Sequence, residues 1–108
     1  MAFVDTRSAA RFAADKLSKV GLFETEHMFC DLYCLEPGQA QKLHAHADAT
    51  KFYFVLEGRV RARIGDDERE LAAGELAWSA PGEPHGVENH GSARAVLLVV
   101  MGPNPNAR

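Results

Sequence analysis

From Leu17 onward, apolar residues come in short runs, and each run stops at turn-forming residues. Pro37-Gly38, Glu57-Gly58, Gly65-Asp66-Asp67, Ala73-Gly74, Pro81-Gly82, Gly91-Ser92 and Gly102-Pro103 mark these stops. The runs between them predict strands near 16–23, 27–36, 41–46, 51–57, 58–64, 68–72, 75–80, 85–90 and 94–101. Arg59, Arg61 and Arg63 alternate with Val60, Ala62 and Ile64, the two-residue period of a strand with one wet face. Two runs break that alternation. FYFVL at 52–56 and AVLLVVM at 95–101 carry too few polar positions for a sheet with a solvated side, so both their faces should be covered. Short strands without a long helix make an all-β antiparallel sandwich or barrel.

The arm of about residues 1–26 begins differently. Arg7-Ser-Ala-Ala-Arg-Phe-Ala-Ala predicts an irregular or helical segment of one or two turns lying on the barrel. The tail, about 102–108, is polar with two prolines, and is expected to be loosely held or draped over the surface. Residues 1–108 make one domain, with no repeat and no linker.

Composition narrows the partners. A formal charge of −3 argues against nucleic acid or an anionic membrane surface, and the basic residues that do cluster, Arg59, Arg61 and Arg63, read as one solvated strand face. No run approaches the roughly 20 apolar residues of a membrane-spanning helix. Cys30 and Cys34 fall in one predicted strand, which sets their Cα atoms about 13 Å apart. A disulfide needs about 4.4–6.8 Å, so the two cannot pair with each other. Free thiols and no secretory leader make the cytoplasm the expected compartment.

The sharpest local feature is His44-Ala45-His46. On a strand, positions two apart share a face, so two imidazoles can aim at one metal ion. The same pair also suits a plain exposed strand edge. A third histidine, His85, in the turn-rich stretch SAPGEPHGVENHG, favours the metal.

Two stretches carry a resemblance. Gly38-x5-His44-x-His46-x4-Lys51-x6-Gly58 resembles the first cupin motif, and Gly74-x7-Gly82-x2-His85-x3-Asn89 resembles the second. The resemblance implies a double-stranded β-helix, a jelly-roll barrel with one divalent transition metal (iron, zinc, nickel or manganese) in its mouth. It places His44, His46 and His85 as ligands and Asn89 as an outer group beside His85. Gly38, Gly58, Gly74 and Gly82 take turn positions. It also implies a homodimer, with residues 15–24 as a candidate exchanged arm.

The departure from the family lies at its glutamate ligand. Lys51 holds that position, or Thr50 if the spacing is counted one residue shorter; neither is a carboxylate. Asp48, in the turn after His46, is the nearest acid and an alternative fourth ligand. An ammonium about 5 Å from a divalent ion is repelled by roughly 6–7 kcal/mol at an effective dielectric of about 20. Relief comes in three ways: Lys51 points away, Lys51 loses its proton, or the site holds an anion in place of a metal. Tyr53 and Trp78 suit core packing first and the pocket wall second; Tyr53, on one strand face with Lys51, ranks first for substrate contact, and Trp78 and Asn89 are the other pocket candidates. Cys30 and Cys34 share a face with Leu32, as small buried groups or, if that face is interior, near the metal. The functions that follow are a small metalloenzyme of dioxygenase or isomerase type acting on a small polar or anionic molecule, a non-catalytic binding or sensor module, and a barrel with a vestigial site.

Overall fold

The alternation seen in the sequence becomes two antiparallel sheets in the computed structural model, which describes residues 2–106. One turn of helix, α1 (Thr6–Ala9), precedes nine strands: β1 (Ser18–Glu24), β2 (Phe29–Leu35), β3 (Ala40–His44), β4 (Thr50–Glu57), β5 (Arg59–Ile64), β6 (Asp67–Ala72), β7 (Leu76–Ser79), β8 (His85–Glu88) and β9 (Ala95–Gly102). Five strands form one sheet in the order β1-β2-β9-β4-β7, and four form the other in the order β3-β8-β5-β6. The architecture is the expected all-β double-stranded helix.

The runs that broke alternation explain the layering. β9 sits between β2 and β4. Its Ala95, Leu97 and Val99 enter the core between the sheets, with Tyr33, Leu35, Tyr53, Val55, Val60, Ala62, Leu71 and Val87. Its Val96 and Leu98 face outward, where Leu32 and Cys34 meet Ala9, Ala10 and Phe12. The chain's own N-terminal segment therefore covers part of the outer face. Apolar surface covered this way stabilises by roughly 25 cal/mol for each Å² removed from water. The cover stops short of Trp78, which is 59% exposed and pairs in register with half-buried Phe52. β1 pairs with β2 of the same chain.

Gly58 shows why one turn needs glycine. Its φ is +78°, and a Cβ there would collide with the Arg94 carbonyl oxygen and lie 3.0 Å from Ala95 Cα. Gly86 matters for the site. A Cβ on it would sit 2.9 Å from Gln41 O and 3.1 Å from Leu43 N, so its absence lets β3 lie close against β8.

The tail differs from expectation. Asn104 is 2% exposed, and its Nδ2 donates to Glu24 Oε2 and to the Thr25 carbonyl, both at 2.9 Å. These bonds pin the tail to the β1–β2 hairpin; residues 107 and 108 lie outside the described region.

Candidate metal centre

β3 and β8 bring the histidines together. His44 ends β3 and pairs in register with His85, which opens β8. Strand β3 stops at His44, short of the expected 46, yet His46 still faces the same point. The Gly82 amide donates to the His46 carbonyl at 2.7 Å and holds it there. One ligand nitrogen from each of the three rings lies within 4.8 Å of the others. Ring centroids are 5.0 Å apart for His44 and His46, 4.3 Å for His44 and His85, and 5.5 Å for His46 and His85.

Hydrogen bonds set which nitrogen is available. His44 Nδ1 lies 2.7 Å from the Lys42 carbonyl, and His85 Nδ1 lies 3.0 Å from the Glu83 carbonyl. A carbonyl only accepts, so each Nδ1 carries the proton and each Nε2 keeps its lone pair. His85 is 1% exposed, and its Nε2 is the one buried side-chain polar atom without a partner among the described residues. An orphaned buried acceptor costs about 1–3 kcal/mol. A metal ion held by one nitrogen of each ring would remove that cost, and the donor set suits it. Burial lowers the pKa of His44, His46 and His85, the last to about 4, so all three rings are neutral and ready to ligate at neutral pH.

Lys51 faces inward. It is 3% exposed and lines the same cavity, so the arrangement in which it turns away from the site is not adopted. Thr50 is exposed, as β-alternation then requires. Asp48 is also exposed and, although its charge raises the His46 pKa, it stands outside the cluster of three ligands. Burial, with the charge of Lys19 second, lowers the Lys51 pKa to about 7.

Tyr53 is buried on the same face of β4 as Lys51, its ring centroid 6.1 Å from that of His85. Two other expectations are corrected. Trp78 lies on the outer side of the five-stranded sheet, away from the cavity, because β7 alternates opposite to that reading. Asn89 falls just past β8 and does not serve His85. Its Nδ2 donates to the Leu35 and Ala93 carbonyls at 3.0 and 2.9 Å, and its Oδ1 accepts from the Gly91 amide. The amide fastens a loop. Cys30 and Cys34 are buried free thiols, their pKa raised by burial. Cys34 packs with Leu32 on the outer side, so the thiol face is not the interior.

Residues that the sequence reading passed over complete the cavity. About 440 Å³ is lined by Lys19, Tyr33, Gln41, Lys42, His44, His46 and Lys51, with Pro105 and Asn106 of the tail closing one wall. Gln41 is the hub: its Oε1 accepts from Tyr53 Oη at 2.6 Å and from Lys51 Nζ at 3.1 Å. Counting back from His44 turns Gln41 outward. A β-bulge between Gln41 and His44 shifts the register and turns it in. Tyr33 had a signal, since it alternates with the Cys30, Leu32, Cys34 face.

Comparisons with known proteins agree with this fold. The chain is 45% identical to TT1209 of Thermus thermophilus, whose crystal structure it matches with a TM-score of 0.94 over 97% of this chain and 100% of that one. It is 27% identical to the oxalate-binding protein of Thermotoga maritima over 82% of this chain and 72% of that protein. It is 28% identical to the tetracenomycin polyketide synthase protein TcmJ of Streptomyces glaucescens over 64% of this chain, and spans only 46% of TcmJ. The sequence pattern of the cupin domain matches residues 31–101, which leave out β1 but include all three histidines, and the chain therefore belongs to the cupin family.

Proposed function

We propose that the chain is a metal-dependent cupin that acts on a small anionic, oxygen-rich molecule. The observation that carries this is the unpartnered, buried Nε2 of His85 aimed at His44 and His46. A divalent transition metal held there supplies Lewis acidity, undiminished by any carboxylate ligand. The protein's own groups do the rest. The Lys42 and Glu83 carbonyls fix the imidazole tautomers. Lys19 and Lys42 set a positive potential along the cavity wall, which draws an anion toward the histidines. Tyr53, Gln41 and Tyr33 hold one another, leaving a fixed polar floor.

The printed name of the Thermotoga relative supports an alternative in which the cavity binds an anion without turnover. Oxalate is the first probe for both. Elemental analysis of protein purified without added metal should find near one transition-metal ion per chain. Oxalate affinity is then measured by calorimetry with and without that metal. Absence of metal together with unchanged oxalate binding in His46→Ala would leave only the metal-free binding module.

A further inference from the structure

Three of the chain's four lysines line the cavity, and one of them is buried. Lys51 Nζ finds two hydrogen-bond acceptors, Tyr33 Oη at 3.3 Å and Gln41 Oε1 at 3.1 Å. Both are neutral. Both are also held from elsewhere, because Gln41 Nε2 donates to Tyr33 Oη at 3.0 Å and Tyr53 Oη donates to Gln41 Oε1. An ammonium brings three N–H donors and no lone pair; a neutral amine brings two donors and one lone pair. Two fixed acceptors match the amine. Its two N–H groups are then taken, and the lone pair is left over.

The charged groups that bear on Lys51 do not restore the proton. Lys19 opposes it and outweighs Asp31, whose charge favours the ammonium. The rings of Tyr33 and Tyr53, 5.4 and 5.2 Å from Nζ, present faces that favour the charged form, against which the burial of Nζ works. The lowered pKa of this group agrees with that hydrogen-bond count. A desolvated lysine beside a second cation is the environment in which amines act as nucleophiles toward carbonyl compounds.

We propose that Lys51 is a nucleophilic amine that condenses reversibly with the carbonyl group of a small 2-oxo acid bound in this cavity. The Nζ lone pair forms a bond to the carbonyl carbon, and the C=O π pair moves to the oxygen. That oxygen leaves as water with the two hydrogens that were on Nζ, and a C=N bond remains. No electrons are gained or lost, and water reverses the step. The carboxylate of the oxo acid meets Lys19 and Lys42 on the cavity wall, which selects this class over an uncharged aldehyde. This activity goes beyond the metal reading, because it needs Lys51 and the cavity but no step at the histidines.

The test uses the full chain, pyruvate and sodium cyanoborohydride, which reduces an imine to a stable secondary amine. Peptide mass mapping of the wild type should place the adduct on Lys51, at least tenfold above Lys16. Lys51→Met should lose that adduct, while Lys16→Arg keeps it. If Lys51→Met fails to fold, the wild-type map alone decides. Label spread evenly over Lys16, Lys19, Lys42 and the amino terminus, or absent from Lys51, overturns the proposal. Elemental analysis of the same samples separates the two readings: full metal content with no adduct sinks the imine alone, whereas an adduct without metal sinks the metal reading alone.

Discussion

The two ends of the cavity invite comparison, since one is three imidazoles and the other a lysine amine. They differ in what they present. His44, His46 and His85 converge their nitrogens on one point, whereas Lys51 stands singly among Tyr33, Gln41 and Tyr53. They share one desolvation, which lowers His85 to about 4 and Lys51 to about 7. Burial in one barrel thus shifts two kinds of nitrogen toward their lone-pair forms. Geometry alone then decides which end suits a metal and which suits a carbon electrophile.

The comparison breaks most visibly at the histidines. His46→Ala removes one of three converging donors and should weaken zinc or manganese binding about a thousandfold, since structural zinc contributes roughly 10–16 kcal/mol over four ligands. Titration with a competing chelator measures it, and an unchanged affinity would place the metal elsewhere. Lys51→Glu sharpens the contrast from the other end. It puts a carboxylate in place of the amine on the inward face of β4, and should tighten metal binding about a hundredfold, the Coulomb gain being partly offset by burial of the carboxylate. The same variant should lose affinity for oxalate.

Acid tests the shared desolvation. The His85 proton binds near 4 in the folded chain against 6.5 in the unfolded one, so between those values the unfolded chain holds more protons. The metal-free protein is therefore at full His85-linked stability above about pH 6.5 and loses it as pH falls toward 4, by about 3 kcal/mol. Lys51 acts over a higher window with the same sign. Its folded value near 7 against 10.5 unfolded makes stability rise with pH between the two. Denaturant midpoints from pH 4 to 10 check both, and Lys51→Met should flatten only the upper part. The smallest effect concerns assembly. We propose that a second copy covers the apolar outer face left open around Trp78, Phe52 and Leu76, so Trp78→Glu should shift the solution mass from dimer to monomer while leaving metal affinity within twofold. A wild type that is monomeric at tens of micromolar removes this proposal.

Legibility in the sequence tracked how local each signal was. All nine strands were visible, because alternation and turn residues are short-range properties. Their ends slipped where tertiary bonds intervene: Asn89 leaves β8 because its side chain reaches Leu35 and Ala93. His44, His46 and His85 were legible as a set, though only through motif spacing. Gln41 was hidden by the bulge beside it, and Trp78 was misplaced because the face of a four-residue strand cannot be read from its own pattern.

By itself the sequence determined the all-β class, the turn positions at Gly38, Gly58, Gly74 and Gly82, and the three histidines that share one motif pair. Those follow from side-chain period, from backbone angles only glycine adopts easily, and from fixed spacings along the chain. The tertiary structure decided that Lys51 turns inward, that Gln41 joins it, that the N-terminal segment covers Leu32 and Cys34, and that Asn104 pins the tail beside the cavity. Each depends on a partner far away in the chain, and on bulges that shift a strand's facing by one residue, which no local pattern records.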